Sequence, residues 1–330
     1  MAITLEQAKV GMADKVTQQV IDEFRRSSLL LDQLTFDDAV SPGTGGSTLT
    51  YGYTRLKTPA QASFRELNEE YTPQVADREE KTVNLKIFGG SFDIDRVIAE
   101  SDGAVDEVLF QLNEKIKAAS NLFHYTVING DSAVDGKAFD GLDKALVGSS
   151  TEVGTDTYTD LSDTTAVDTN YKAFLDQLDE FLAELDGKPS MLMGNSKLMT
   201  KIKAVARRAG YLTANEDAFG RKVDAYDNIP LVDLGMFVNA GGATVPTTAI
   251  VDTRTPNGTD VVTGLTDLYA VRLGIDGFHG VTLTGNKVIS TYLPDFTTPG
   301  AVKTGEVEMV AAVALKATRA AGVLRNIKVK

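Results

Sequence analysis

The chain has 330 residues and contains no cysteine, no tryptophan and only two histidines, His124 and His279. Without cysteine there can be no disulfide, thiolate metal site, iron–sulfur ligation or cysteine nucleophile. The histidines lie far apart and form no H-x-x-x-H pair, so a zinc site would have to draw on carboxylates for its other ligands. A lone histidine at the end of an apolar helical pattern, as His124 is, reads as a packed or capping residue. Without tryptophan, a sugar-binding cleft loses its usual stacking platform. No apolar run approaches the ~18–20 residues of a membrane span. The first residues, Met-Ala-Ile-Thr-Leu-Glu, lack the basic and apolar regions of a signal peptide, so the expectation is a chain made and kept in a cytoplasm. Basic charge is scarce too. The formal net charge is −13 and the longest basic grouping is Arg207-Arg208, so the chain should repel nucleic acid at long range.

What is present is architectural. With 42% hydrophobic and 24% charged residues, the composition suits one large or two ordinary folded domains. Residues 1–35 carry a helical pattern: Thr4 and Gln7 as a capping box, then Val16, Val20 and Phe24 at spacing four, ending in Leu29-Leu30-Leu31. Ser41 to Ser47 (SPGTGGS) reads as a hinge. Alternation then marks a strand at Leu49, Tyr51 and Tyr53, and a return strand at Val83, Leu85 and Ile87, with a polar stretch between them. A two-stranded hairpin alone is marginal in water, so this one is expected to lie across a neighbouring subunit, with Gly89-Gly90 as the hinge back to the body.

Ser101 is a candidate N-cap for a straight helix of roughly 35 Å. Its apolar stripe runs through residues 105, 108, 109, 112, 116, 119 and 123. Thr151 to Asn170 reads as a polar surface segment. A second helix has Tyr171, Phe174, Leu175, Leu178, Phe181, Leu182 and Leu185 on one face and ends at Asp186-Gly187. Met191 to Met193 reads as a strand, and Asn195 caps a helix to about Arg208. Further strands are expected at Ile229–Leu234, Ala249–Val251, Leu268–Leu273 and Val281–Leu283, with a long one through Val307, Met309, Ala311, Val313 and Leu315. No internal repeat is found.

The site motifs fail one by one. The stretch Ile128–Leu142 (INGDSAVDGKAFDGL) looks like a calcium loop. Starting at Asp131, however, it puts Ala133 at the third position and Leu142 at the twelfth, where oxygen ligands are needed. Asp135 and Gly136 alone fit. Starting at Asn129 puts Val134 where glycine is required. The loop therefore reads as a turn-rich connector. Gly43-Thr44-Gly45-Gly46 is followed by neither Lys-Ser/Thr nor a helix start, so it is no phosphate cradle. There is no G-x-S-x-G elbow. Glu69-Glu70 and Glu79-Glu80 could form a glycosidase-like pair, but their segment lacks aromatic walls, and a solvated face is the better reading. Asn257-Gly258-Thr259 is a formal glycosylation sequon. No catalytic, cofactor-binding or metal residue is assigned.

Taken in order, several stretches resemble the major capsid proteins of tailed bacteriophages, with the Hong-Kong-97-like fold. Ile128-Asn129-Gly130-Asp131 and Phe139-Asp140-Gly141-Leu142 resemble the passage where the chain leaves the spine helix for the axial domain. Pro189 to Asn195, the helix after it and Ala209-Gly210-Tyr211 resemble an axial-domain segment. Gly220, Val223 and Ile229 to Val232 resemble its strand entry, and Lys316 to Val329 the closing peripheral-domain segment.

The resemblance implies an α+β capsid fold: an N-terminal arm (1–38), an extended β-hairpin loop (39–91), a peripheral domain with a long spine helix (92–140 and 296–330) and an α/β axial domain (141–295). It implies a non-enzymatic shell protein, without cofactor, that forms pentamers and hexamers of an icosahedral virion head assembled in the host cytoplasm. The partners implied are further copies of itself, a separate scaffolding protein, a portal protein and double-stranded DNA enclosed without specific binding, with no membrane. The alternatives are an encapsulin-type nanocompartment around a protein cargo and, in another class, a carboxylate-dependent soluble hydrolase. Two further expectations follow. Deleting Lys57 to Glu80 should leave a folded body that closes no shells, and Leu109→Asp should unfold the subunit by placing a charge on the buried stripe.

Overall fold

The computed structural model describes residues 29–40, 46–58, 60–101, 107–210, 213–216, 222–251, 253–256, 258–283 and 289–330. The helical pattern through Thr4, Gln7, Val16, Val20 and Phe24 lies outside them, as do Ser41 to Gly45, Val105, Tyr211, Gly220 and Asn257. In chain order the elements begin with α1 (Leu29–Gln33), β1 (Phe36–Ala39), β2 (Thr50–Thr58), β3 (Asp77–Asn84) and β4 (Lys86–Asp95). Then come α2 (Arg96–Glu100), α3 (Glu107–Asn129), α4 (Leu142–Leu146), β5 (Glu152–Val153), β6 (Thr159–Asp160) and α5 (Thr164–Ala183). They are followed by β7 (Met191–Gly194), α6 (Ser196–Ala209), β8 (Thr213–Glu216), β9 (Lys222–Tyr226) and β10 (Ile229–Asp233). The chain closes with β11 (Met236–Val238), β12 (Thr244–Pro246), β13 (Leu265–Val271), β14 (Phe278–Leu283), β15 (Ile289–Tyr292), β16 (Val302–Leu315) and β17 (Ala321–Lys328).

Alternation of side chains builds a sheet buried on both faces. Among the described residues this sheet runs β5-β17-β13-β7-β10-β9-β8, with β6 also on β17. Met191, Met193, Tyr269, Val271 and Val323 point into one core. Leu192, Leu268, Ala270 and Leu324 point into a second core with Phe174, Phe181 and Ile202 of α5 and α6. A strand covered on both sides has no solvent face, which is why β7 and β13 read as continuous apolar runs. Asn195 caps α6 as expected, its Oδ1 accepting the Leu198 N–H at 2.9 Å, and Gly210 ends it in the left-handed region at φ 77°.

The other sheet is organised by β16, which at 14 residues spans roughly 45 Å. Strand β4 lines one edge of it from Lys86 to Asp95, while β14 and β15 share the opposite edge end to end. Strand β1 lies parallel to β14, with the Phe36 ring over Gly280. Helix α3 packs on β4, β16 and β11. Its Phe123, wholly buried, centres a cluster of four phenylalanines, with Phe139, Phe88 and Phe36 at 5.8, 6.0 and 6.3 Å between ring centroids.

Several expectations are corrected. Gly89-Gly90 is no hinge: both residues sit within β4, opposite Glu308 and Val307. A Cβ on Gly89 would stand 1.9 Å from the Val307 carbonyl oxygen, so glycine permits the close approach of two strands. The chain bends instead at Leu85, which is buried and donates its N–H to the Leu49 carbonyl at 2.8 Å. Helix α5 begins at Thr164, inside the stretch read as surface, because Asp163 Oδ1 caps Ala166 N–H at 2.8 Å and Val167, though flanked by polar residues in sequence, is buried in the second core. The strand expected at Ala249–Val251 is a single bridge from Val251 to Leu265. Ser101 closes α2, donating both N–H and Oγ to the Ile98 carbonyl.

Leu109 is 52% exposed, because α3 buries its C-terminal half (Ala119, Phe123, Val127, Ile128) and not the half that carries Leu109. Sheet membership also differs from the expected grouping. Within Lys316 to Val329, strand β17 joins the double-faced sheet, while β14 and β15 join the spine-helix sheet. Hydrogen-bond partners set these memberships, and they come from strands distant in sequence.

Candidate assembly surfaces and their supports

The aspartate- and glycine-rich loop after α3 holds itself together. Asp131 accepts from Ala133 N–H (2.8 Å), Asp135 from Lys137 N–H (2.9 Å) and Asp140 from Ser132 N–H (2.8 Å), which are local turn contacts. Lys144 Nζ, from the short helix α4, sits 2.7 Å from Asp131 Oδ1 and 2.8 Å from Asp140 Oδ1. An internal ammonium thus supplies the positive charge a bound cation would bring. Its hydrogen bond lowers the Asp131 carboxyl below the ordinary range. Gly130 and Gly141 face each other across the turn, with Gly141 N–H donating to the Gly130 carbonyl at 2.8 Å. A Cβ on either would come within 2.6 Å of a main-chain oxygen. The loop is therefore a connector whose glycines serve backbone geometry. No group of three or more acidic or histidine side chains could hold a metal ion among the described residues.

The hairpin β2–β3 pairs from Thr50↔Asn84 outward to Thr58↔Asp77. Its foot is tied down: the Tyr53 hydroxyl donates to the Leu315 carbonyl at 3.0 Å, and the Tyr51 hydroxyl to Asp37 Oδ2 at 2.5 Å. Beyond the strands the tip is open to solvent, with Phe64 105%, Leu67 90% and Val75 87% exposed and Tyr71 also exposed. Glu69 and Glu70 lie in this open tip. Glu79 is on β3 in an ion pair with Arg55, and Glu80 faces solvent beside it. These four acids line an exposed ribbon and enclose no cleft.

A groove of about 1070 Å³ lies between β4, the end of α3, the connecting loop and β11. Its apolar side chains include Ile87, Leu122, Tyr125, Val134, Val147 and Phe237, with the Tyr125 and Phe237 rings stacked at 5.0 Å. Lys86, Lys137 and Lys144 balance Asp131, Asp135 and Asp143 around it, so an apolar occupant suits it better than a charged one.

The two histidines are both buried, His124 in α3 and His279 in β14, and the structure does not bring them together. His124 packs edge-on to Phe123, and burial pulls its ring down to about 4. Arg207 and Arg208 close α6, where Arg208 pairs with Asp168 and donates to the Ala204 carbonyl.

Sequence reasoning missed a buried ionic network. Asp267, 4% exposed, occupies a bulge of β13 between Thr266 and Leu268. Arg254 grips it with two hydrogen bonds (2.6 and 2.8 Å), Arg325 Nη1 reaches it at 3.0 Å and Asn326 N–H at 3.0 Å. Arg325 also binds Asp143 and, at 2.9 Å, Glu152, while the Tyr269 hydroxyl donates to Asp143 at 2.8 Å. Burial would raise the Asp267 carboxyl, but Arg254 first, then Arg325 and the Asn326 N–H, hold it below the usual range. Charged letters inside otherwise apolar strands, Asp267 in LTDLYAV and Arg325 in GVLRNI, were the available signal.

No family model matches the chain, and no curated protein matches its sequence. Solved structures do match, across almost its whole length. The holo-SrpI encapsulin complex from Synechococcus elongatus PCC 7942 aligns with a TM-score of 0.65 at 14% identity, covering 99% of this chain and 97% of that one. The capsid of a native GTA particle aligns at 0.55 and 12% identity, over 95% of each chain. The capsid of Myoviridae phage XM1 aligns at 0.52 and 13% identity, over 99% of each. The chain has the Hong-Kong-97-like capsid fold. In this fold α3 is the spine helix and β2–β3 the extended loop. The connecting loop 130–141 leads from α3 to α4 and on to the double-faced sheet.

Proposed function

We propose that this chain is the major capsid protein of a tailed-bacteriophage head, a structural subunit and not an enzyme, which assembles into the pentamers and hexamers of an icosahedral shell around double-stranded DNA. The observation that carries the reading is the extended loop: a foot anchored by Tyr51 and Tyr53, and a tip that leaves Phe64, Leu67 and Val75 in water. Exposed large apolar groups clustered on a projecting ribbon mark a surface meant for a partner. The apolar groove beside the spine helix is the surface we assign to such a segment of a neighbouring copy. Burying Phe64, Leu67, Tyr71 and Val75 gains roughly 1.5–3 kcal/mol each. Ordering the tip costs about 1–2 kcal/mol per residue, so one loop contact cannot hold a shell and many must act together.

The proposed division keeps the arm (1–38) and the extended loop (39–91). It adds a peripheral unit on the spine helix that takes β14, β15 and β16, and an axial unit that takes β17. A scaffolding protein, a portal protein and assembly in the host cytoplasm belong to the same proposal, as does DNA enclosed without specific contacts. A second reading, an encapsulin-type shell around a protein cargo, is favoured by the 0.65 TM-score to the encapsulin chain. Electron microscopy of the expressed chain tests the shell itself, with closed particles expected. A small discrete oligomer without particles at any concentration would refute it. The particle contents, DNA or packaged protein, separate the two readings.

A further inference from the structure

At the foot of the extended loop His279 is fully buried, and neither ring nitrogen has a hydrogen-bond partner of good geometry, although the Gly277 main chain lies close. The Tyr51 ring meets it edge-on, with centroids 5.8 Å apart. Lys316 Nζ stands 3.7 Å from the Asp37 Oδ2 that accepts the Tyr51 hydroxyl, and 5.4 Å from the Tyr51 ring centre. Four pieces of chain converge here: β1, at the end of the arm; β2, in the extended loop; β14; and the residues leaving β16. The contacts hold the foot of a ribbon whose far end is open to solvent.

We propose that the Asp37–Tyr51–His279–Lys316 cluster is an acid-sensitive latch that fixes the extended loop to the body. With its ring neutral, His279 is a flat plug beneath Tyr51. A proton would place a second cation beside Lys316 in a space closed to water. The groups facing the ring are Asp37 from β1, Tyr51 from β2, Lys316 after β16 and Asp276 in the turn before β14. Asp37, Asp276 and the nearby Gly277 main chain favour the charged ring. Burial, and after it Lys316, outweighs them, so the latched ring titrates below its ordinary value. Once released into water, the ring returns toward about 6.5. The released state therefore binds more protons as pH falls below that value, and acid drives release. Asp37, held low by Tyr51, the Asp38 N–H and Lys316 against burial, stays charged over this range.

Hydrogen–deuterium exchange on the full chain tests the latch, compared as protection factors at about pH 7 and about pH 5, which bracket the ordinary histidine value. The latch requires protection over residues 50–58 and 77–84 to fall at the lower pH, by up to about thirtyfold, since pH 5 lies about 1.5 units below the released ring's ordinary value. Protection over α3 should hold, and His279→Phe should abolish the step. Equal protection at both pH values, or an equal loss in His279→Phe, overturns the proposal. So does a matching loss across α3, which would trace the effect to His124. Should His279→Phe fail to fold, Lys316→Met should shrink the step by removing the opposing cation, and an unchanged step overturns the latch. The measurement reads one subunit, so it stands apart from whether shells form.

Discussion

At the scale of single residues, the most consequential side chains are polar ones in apolar surroundings. Asp267 is buried and gripped by Arg254, Arg325 and a main-chain N–H. Asp267→Asn would leave Arg254 short of its carboxylate partner, while Arg325 keeps Asp143 and Glu152, and breaking a buried pair costs about 3–5 kcal/mol. Urea unfolding of that variant should show the loss as a lowered midpoint with little change in slope. His124 makes a separate prediction. Its ring is buried neutral with a value of about 4, against about 6.5 unfolded. The unfolded state therefore binds the extra proton between those values, so stability is complete above about pH 6.5 and falls as pH drops toward 4, by roughly 3 kcal/mol over the window. His124→Phe should flatten that slope in thermal melts taken across the range. A variant as pH-sensitive as the parent would show that other groups dominate.

Elements reveal where periodicity is informative and where it misleads. The spine helix was legible because its apolar stripe recurs at helical spacing. Periodicity says that a face is apolar, however, not that this same chain covers it. In the subunit the stripe near Leu109 stays half-exposed, so Leu109→Asp should fold and change stability by less than about 1 kcal/mol. A thermal shift no larger than that is the expected result. The return strand shows the complementary limit. Its alternation was readable, but the bend at Leu85 and the continuation through Gly89-Gly90 depend on β16, more than two hundred residues away. Deleting Lys57 to Glu80 removes most of the ribbon and leaves the core clusters untouched. The body should keep its circular dichroism while closed particles disappear, and normal particles from that deletion would remove the loop from assembly.

For the whole molecule, the question is how two sheets share one chain. One core lies between the spine helix and both sheets, and the other lies under α5 and α6. The last two long strands cross from one sheet to the other. With 46 acidic against 33 basic residues, the unassembled subunit should bind double-stranded DNA weakly and without sequence preference at moderate salt. A filter-binding or anisotropy titration would check this. Saturation at sub-micromolar protein would contradict the proposed enclosure of DNA without specific contacts.

The sequence by itself determined the classes of chemistry ruled out, the helices with strong stripes and caps, the buried strands and the order of parts that resembles a capsid chain. It also read the loop after the spine helix as a turn-rich connector, because ligand spacing is a local property. Only the tertiary structure decided which strands pair, which half of the spine helix is covered, and that Asp267 meets Arg325 while Tyr51 meets Asp37 and His279. Those contacts join residues tens to hundreds of positions apart. Local propensity carries no information about such partners, since pairing is chosen by the packing of the whole chain.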